Sequence, residues 1–335
     1  MKIQAPVPWK PYCKVTFWDL LISRVWDLRN LWRRLVGIHG GSGVVLRGAN
    51  RFRPLLAQHK GRGATGAVIR DNQGRFISAS ACAISYNAQQ NRMKPLIDAA
   101  IGDLCGNSGT LFPGKMVIAD LGCSSGPNAL TLVSTAVEAI MSHSLQFQHP
   151  PPEVSVLLND LPHNDFNMVV KSLVTLRQSN NKFVLVTGVT PGSFYERLFT
   201  SDSMHLICSS NNLHLLSKAP EDLSRNHIPA YDTDEHARHE RLRMVRKAYA
   251  RQFRKDFTLF LKLRDKELVP GGRMVLSLVG RCSDVIASNF FHIWETAAQI
   301  LGVIASKGVI AKEKFDSFYI PMYGPSAEEL KEIIE

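Results

Sequence analysis

The sequence has no apolar run approaching the roughly 18 residues that a membrane-crossing helix needs. It has six cysteines (Cys13, Cys82, Cys105, Cys123, Cys208 and Cys282) but no Cys-x-x-Cys pair, and in 335 residues they are too sparse for a disulfide scaffold. Zinc-ribbon and secreted-framework classes fall away, and a reducing compartment, the cytosol, is the expected location. No clean apolar stretch follows a short basic start, because Pro6, Pro8, Lys10, Pro11 and Lys14 interrupt it. A secretory signal is therefore not expected, and an Arg-rich transit peptide is the lesser alternative. Internal repeats are absent. With 45% hydrophobic and 21% charged residues, the chain has the composition of a globular protein with a sizeable core.

Acidic residues are scarce in one region only. Residues 1–80 hold 14 Lys and Arg against three acids (Asp19, Asp27 and Asp71), so the whole net charge of +11 lies there and the remainder balances to zero. Trp9, Trp18, Trp26 and Trp32 share that segment. Such a stretch suits contact with nucleic acid or an anionic membrane. The plainer expectation is a foreign segment without that role, so nucleic acid is not expected as a partner. Residues 15–36 have apolar positions at helical spacing. Within 64–84, Ala67–Ile69 and Arg75–Ser80 read as two short strands around Asp71-Asn72-Gln73-Gly74. That stretch resembles the early hairpin of plant retroelement ribonuclease H domains. The acids for a two-metal nuclease site do not follow it.

From about residue 95 strand and helix patterns alternate. Helices are expected at Met93–Cys105, Asn128–Ser142, Asn164–Gln178 and Glu235–Lys266. Strands are expected at Lys115–Asp120, Val154–Leu158, Phe183–Gly188, Ser203–Ser209 and Arg273–Val279, the last introduced by the turn Pro270-Gly271-Gly272. This order implies an α/β fold with a mostly parallel sheet covered by helices on both faces, with insertions such as Pro220–Glu240 forming a cap.

The most informative stretch is Val117-Ile118-Ala119-Asp120-Leu121-Gly122-Cys123-Ser124-Ser125-Gly126-Pro127-Asn128. An apolar strand runs into Asp-x-Gly-x-x-x-Gly and then a helix. Glycines let the backbone approach a ligand, and a helix N-terminus offers free N–H groups. The pattern is not the dinucleotide fingerprint, because its acid precedes the first glycine. A carboxylate there would repel a pyrophosphate but attract the ammonium of S-adenosylmethionine. The next strand ends Leu158-Asn159-Asp160-Leu161, and Asp160 at a strand terminus can accept hydrogen bonds from two ribose hydroxyls.

With these stretches, the sequence resembles the plant SABATH family of S-adenosylmethionine-dependent carboxyl methyltransferases. Members methylate salicylate, benzoate, jasmonate, indole-acetate or gibberellins, and one branch methylates xanthine nitrogens. The resemblance continues through 189–199 (Val-Thr-Pro-Gly-Ser-Phe-Tyr-Glu-Arg-Leu-Phe), 254–257, 267–274 and 315–321, and covers roughly residues 85–335. It implies a Rossmann-like methyltransferase fold over 81–335, with 1–80 outside the family. It also implies that Asp120 and Gly122 line the methionine end of the cofactor and that Asp160 holds the ribose. Leu161, Ser193 and Phe194 would contact the adenine. Asn211, His214, Leu215 and Asn91 would face the substrate, with Gln89 and Gln90 as alternatives to Asn91 for the family's carboxylate-binding Gln. Asn226, Asp316 and Phe318 match positions that hold magnesium in some relatives, and many relatives are homodimers.

Three departures from the family pattern bear on activity. In Cys208-Ser209-Ser210-Asn211-Asn212-Leu213-His214-Leu215, Asn211 replaces the usual Tyr and Leu215 the usual Trp, whose indole N–H would bind the substrate carboxylate. The N-terminal clamp is reduced to Ser85-Tyr86-Asn87-Ala88-Gln89-Gln90-Asn91, several residues short. The family continues with further strands beyond the point matched by Glu335, and without them Arg273–Val279 would be an exposed edge. A catalytically impaired relative is therefore the alternative expectation.

Overall fold

The computed structural model describes residues 69–70, 76–77, 79–106, 114–126, 128–180, 183–231, 235–280 and 289–335. The helix expected at 15–36 and most of the basic segment lie outside the described residues. Strands β1 (Ile69–Arg70) and β2 (Phe76–Ile77) pair antiparallel, Ile69 opposite Ile77 and Arg70 opposite Phe76. The hairpin is thus present but shorter than expected. The extended reading of Arg75–Ser80 fails at its end, where helix α1 (Ala79–Gly106) has already begun. Alanines at 79, 81 and 83 favour that helix.

The elements that follow are β3 (Lys115–Leu121), α2 (Thr131–Gln146), β4 (Glu153–Asp160), α3 (Phe166–Ser179), β5 (Leu185–Pro191) and β6 (Met204–Ser210). Then come the short α4 (Glu221–Arg225), the 33-residue α5 (Glu235–Glu267) and β7 (Leu268–Ser277). Helices α6 (Asn289–Ser306), α7 (Lys312–Asp316) and α8 (Ala327–Ile334) complete the order. These last three helices were not anticipated from the sequence.

Strands β3 to β7 form one parallel sheet in the order β5-β4-β3-β6-β7. The chain first moves outward from β3 to β5, then returns to build β6 on the other side of β3. That reversal makes a crevice outside the carboxyl ends of β3 and β6, where open α/β sheets bind ligands.

Alternation along the strands divides the core in two. Met116 and Ile118 of β3, with Val154, Val156 and Leu158 of β4, pack against α1, α2 and α3. Val117, Ala119 and Leu121 face the other way, against Tyr249, Phe253, Phe257 and Phe260 of α5. Burial of these near-continuous apolar strands on both faces explains why they were legible.

Pro270-Gly271-Gly272 lies inside β7, not before it. Pairing with β6 jumps from Met204↔Leu268 to Leu206↔Arg273, and the bulge falls on these residues. Gly271 takes φ +85°, which suits glycine at such a bulge. Among the described residues no strand pairs with the outer side of β7. Arg273 of that strand makes an ion pair at 3.4 Å with Asp103 of α1.

Candidate active site

Asp120 continues the buried stripe of Met116 and Ile118 at the carboxyl end of β3. Its side chain is 3% exposed, and its Oδ1 has no hydrogen-bond partner. A buried carboxylate without compensation favours its protonated form. Burial, reinforced by the nearby Asp160 charge, pushes Asp120 up to about 8. Such a group is costly unless a cation or donor completes it.

The loop after β3 is fixed to β4. Gly122 N and Cys123 N both donate to the Asn159 carbonyl at 2.9 Å. Ser124 N donates to Asp160 Oδ2 at 2.7 Å, and Leu161 N donates to Asp160 Oδ1 at 2.7 Å. Asn164 Nδ2 donates to the Ser124 carbonyl at 3.2 Å. Asp160 therefore already holds the loop, and each of its oxygens retains capacity to accept from a ligand.

The segment after β5 joins the same place. Gly192 N donates to the Asp160 carbonyl at 2.9 Å. Asn159 Nδ2 donates to the carbonyls of Thr190 (2.7 Å) and Gly192 (2.9 Å). Ser193 Oγ accepts from Tyr195 N at 3.2 Å, which leaves its hydroxyl proton available to a ligand. Phe194 meets Tyr195 edge-on at 4.7 Å between centroids. The half-buried Ser193 and Phe194 are held from below by Arg264, whose guanidinium donates to the carbonyls of Phe194 (3.0 Å) and Glu196 (2.8 Å). Arg264 pairs with Glu267 at 2.7 Å, and both side chains are fully buried. Glu267 Oε1 accepts from Leu198 N (2.8 Å) and Phe199 N (3.1 Å).

The segment after β6 completes the crevice. Asn212 Nδ2 donates to the carbonyls of Leu121 (3.1 Å), Gly122 (2.9 Å) and Ser210 (2.9 Å). Gly122 has φ +79°, so glycine is needed there for backbone conformation and for room. Asn211 takes φ +57°, and its N–H donates to the Ser277 carbonyl at 2.8 Å. His214 is buried and its carbonyl accepts from Tyr323 N at 2.8 Å, while Leu215 bridges to Met322. Ser217 N and Oγ donate to the buried Asp256 of α5 at 2.8 and 2.7 Å.

The structure thus brings Asp120, Gly122, Asp160, Ser193 and Phe194 to three adjacent strand ends, with Asn211, His214 and Leu215 at the neighbouring fourth. Leu161, 41% exposed, lies at the rim. Asn91 is exposed on α1, and its neighbour Gln90 is the buried one, donating to the Asn128 carbonyl at 3.3 Å. Sequence reasoning gave no role to Asn159, Asn212, Arg264 or Glu267. Asn159, Asn212 and Glu267 lie within motifs of the family, but nothing local marks them as ties between distant segments. Two recesses lie elsewhere: one of about 510 Å³ at the amino ends of β3 and β6, and one of about 310 Å³ in the cap, lined by His227, Arg241, Lys312 and Asp316 among others.

A family profile for SAM-dependent carboxyl methyltransferases matches residues 80–335. This chain belongs to that family. A probable jasmonic acid carboxyl methyltransferase 2 of Theobroma cacao is 40% identical over 287 residues, 83% of this chain and 72% of the relative. The jasmonate O-methyltransferase of Arabidopsis thaliana is 43% identical, covering 65% of this chain and 61% of the relative. The salicylate/benzoate carboxyl methyltransferase of Arabidopsis thaliana is 37% identical, covering 75% and 68%. Among solved structures, a loganic acid methyltransferase with SAH superposes with TM-score 0.61 at 31% identity, covering 75% of this chain and 72% of that one. The Rossmann-like methyltransferase fold expected for the SABATH resemblance is therefore the fold of this chain.

Magnesium does not fit the residues present. Among the described residues no group of three His, Cys, Asp or Glu could hold a metal. Asp316 Oδ2 is paired with the Lys312 ammonium at 2.5 Å, and Asn226 Nδ2 donates to the Asp222 carbonyl at 2.7 Å. Phe318 packs its ring against Tyr231, with 6.0 Å between centroids. A lysine ammonium on the lone carboxylate opposes a divalent cation, which seeks several unneutralised oxygens. No helix among the described residues is long and apolar enough to cross a membrane.

Proposed function

We propose that this chain transfers the methyl group of S-adenosylmethionine to the carboxylate of a small plant acid of the jasmonate or salicylate/benzoate class. The observation that carries the reading is Asp120, buried and with an unpartnered oxygen where the crevice opens. The ammonium of the cofactor's methionine end supplies the missing charge. Gly122 lets the backbone approach that end. Asp160, held by Ser124 and Leu161, accepts from the ribose hydroxyls. Ser193 offers its hydroxyl to the adenine, with Phe194 and Leu161 as apolar faces. His214, Leu215 and Asn211 border the acid.

When bound, the cofactor supplies an electrophilic methyl group on a sulfonium. The acid, with a pKa of about 4, is already ionised at neutral pH, so the chain needs no general base. Its residues have to align the carboxylate with the methyl group and exclude water. The Leu215 side chain offers no N–H donor, so the carboxylate must be oriented by other groups, and a lost donor costs about 1–3 kcal/mol of binding. The same reading keeps residues 1–80 apart from the catalytic unit and places the enzyme in the cytosol as a homodimer.

Calorimetric titration with S-adenosylhomocysteine tests the cofactor part, with saturable micromolar binding expected. A folded sample that takes up none would overturn it. Incubation with labelled S-adenosylmethionine and jasmonate, salicylate or benzoate then tests transfer. Cofactor binding without any methyl ester would make the chain a non-catalytic relative.

A further inference from the structure

The segment that follows β5 and the one that follows β6 are joined directly by one side chain. Tyr195 Oη donates to the Leu215 carbonyl at 2.6 Å. Tyr195 stands next to Phe194, and its ring packs on the Phe194 ring. Leu215 lies one residue from His214 and is bridged to Met322, so its backbone is part of the wall formed by 214–216 and 321–323. Burial, with the Asp256 charge nearby, pushes the Tyr195 hydroxyl well above its usual value, so it stays a donor at every physiological pH. Both segments are otherwise bolted to α5, at Arg264–Glu267 on one side and at Asp256 on the other. Between these two fixed points the phenol hydroxyl is the cross-brace.

We infer that Tyr195 is a positioning residue that couples the cofactor subsite to the substrate subsite, so that filling the crevice beside Phe194 orders the wall that carries His214 and Leu215. The inference rests on the proposed function and adds to it a reciprocal coupling between the two subsites. A ligand that restrains Phe194 restrains the adjacent Tyr195, and its hydrogen bond passes that restraint to the Leu215 carbonyl. By linkage, an acid that orders the wall tightens the cofactor to the same degree.

The test is amide hydrogen exchange of the full chain with and without saturating S-adenosylhomocysteine. In the parent protein the ligand is expected to slow exchange in both 193–199 and 213–217, by about fivefold in the second segment, the lower end of typical coupling between sites. In Tyr195→Phe, which keeps the ring, slowing in 193–199 is retained and slowing in 213–217 is lost. Tyr319→Phe is the control. Its hydroxyl donates to the carbonyls of Leu223 and Ile228 inside the cap, so its removal should leave the coupling intact. Equal slowing of 213–217 in the parent and in Tyr195→Phe overturns the coupling alone. Loss of coupling in the Tyr319 variant as well overturns it too, since any buried hydroxyl would then serve. Failure of the parent to bind S-adenosylhomocysteine overturns the functional reading and the coupling together.

Discussion

Asn212 lies so close over Gly122 that a methyl group added to the glycine would stand 2.3 Å from Asn212 Nδ2 and 2.4 Å from its Cγ. That amide makes three hydrogen bonds to carbonyls at the ends of β3 and β6. The Gly122 position thus serves the seam between two strands as well as the approach of a ligand.

Gly122→Ala should therefore be costly on two counts. A non-glycine residue at positive φ costs about 1–2 kcal/mol, and displacing Asn212 sacrifices bonds worth about 1 kcal/mol each. Urea unfolding should show a loss of about 2–4 kcal/mol together with loss of S-adenosylhomocysteine binding. An unchanged midpoint would mean that the loop relaxes freely and that the contact is not structural.

Asp120 predicts a pH dependence. Its native carboxyl titrates at about 8, against an ordinary value near 4 in the unfolded chain. Between those values the unfolded state holds fewer protons than the native one, so stability falls as pH rises through the window. Asp120→Asn should abolish that slope. For the ligand the sign reverses, because an ammonium needs the ionised carboxylate. Affinity for S-adenosylhomocysteine should rise as pH approaches about 8, with a proton released on binding. A flat affinity profile between pH 6 and 8, measured by calorimetry in buffers of different ionisation heat, would sink this account.

Asp160 acts on both the loop and Asp120. Its charge is the second cause of the raised Asp120 titration, after burial. Asp160→Asn should shift the pH midpoint of ligand binding downward while weakening binding overall, on the order of tenfold for one charge-assisted bond. If the midpoint instead stays put, the two carboxylates do not interact in solution.

The pair Arg264–Glu267 should govern folding more than chemistry. Both side chains are completely buried, and Glu267 also receives the N–H groups of Leu198 and Phe199. Glu267→Ala strands a buried guanidinium and should cost about 3–5 kcal/mol. Glu267→Gln keeps an acceptor and should fall between this variant and the parent. Thermal unfolding of the three proteins in parallel gives the order, and an Ala variant as stable as the parent would contradict the burial.

The sequence alone determined the strands β3, β4 and β6 to within about two residues, because two-sided burial writes them as apolar runs. It also singled out Asp120, Gly122 and Asp160 as candidates, because an acid and a glycine at the end of such a run are local signals. It determined the family for the same reason, through short motifs in fixed order. Helix α6 escaped notice because Phe290, Phe291, Ile293 and Trp294 at its start are residue types enriched in strands. The end of the hairpin was lost to the helix propensity of the alanines from Ala79. Only the tertiary structure decided the strand order, and with it which loops meet. Asn159, Asn212 and the α5 residues Asp256, Arg264 and Glu267 work across separations of about 30 to 90 residues, which no local pattern encodes. Arg264 stands inside the expected helix Glu235–Lys266 and Glu267 at the start of the 267–274 motif, and neither position marks a buried ion pair. They are buried because backbone carbonyls and N–H groups from a distant loop satisfy them there, and that compensation exists only in the folded chain.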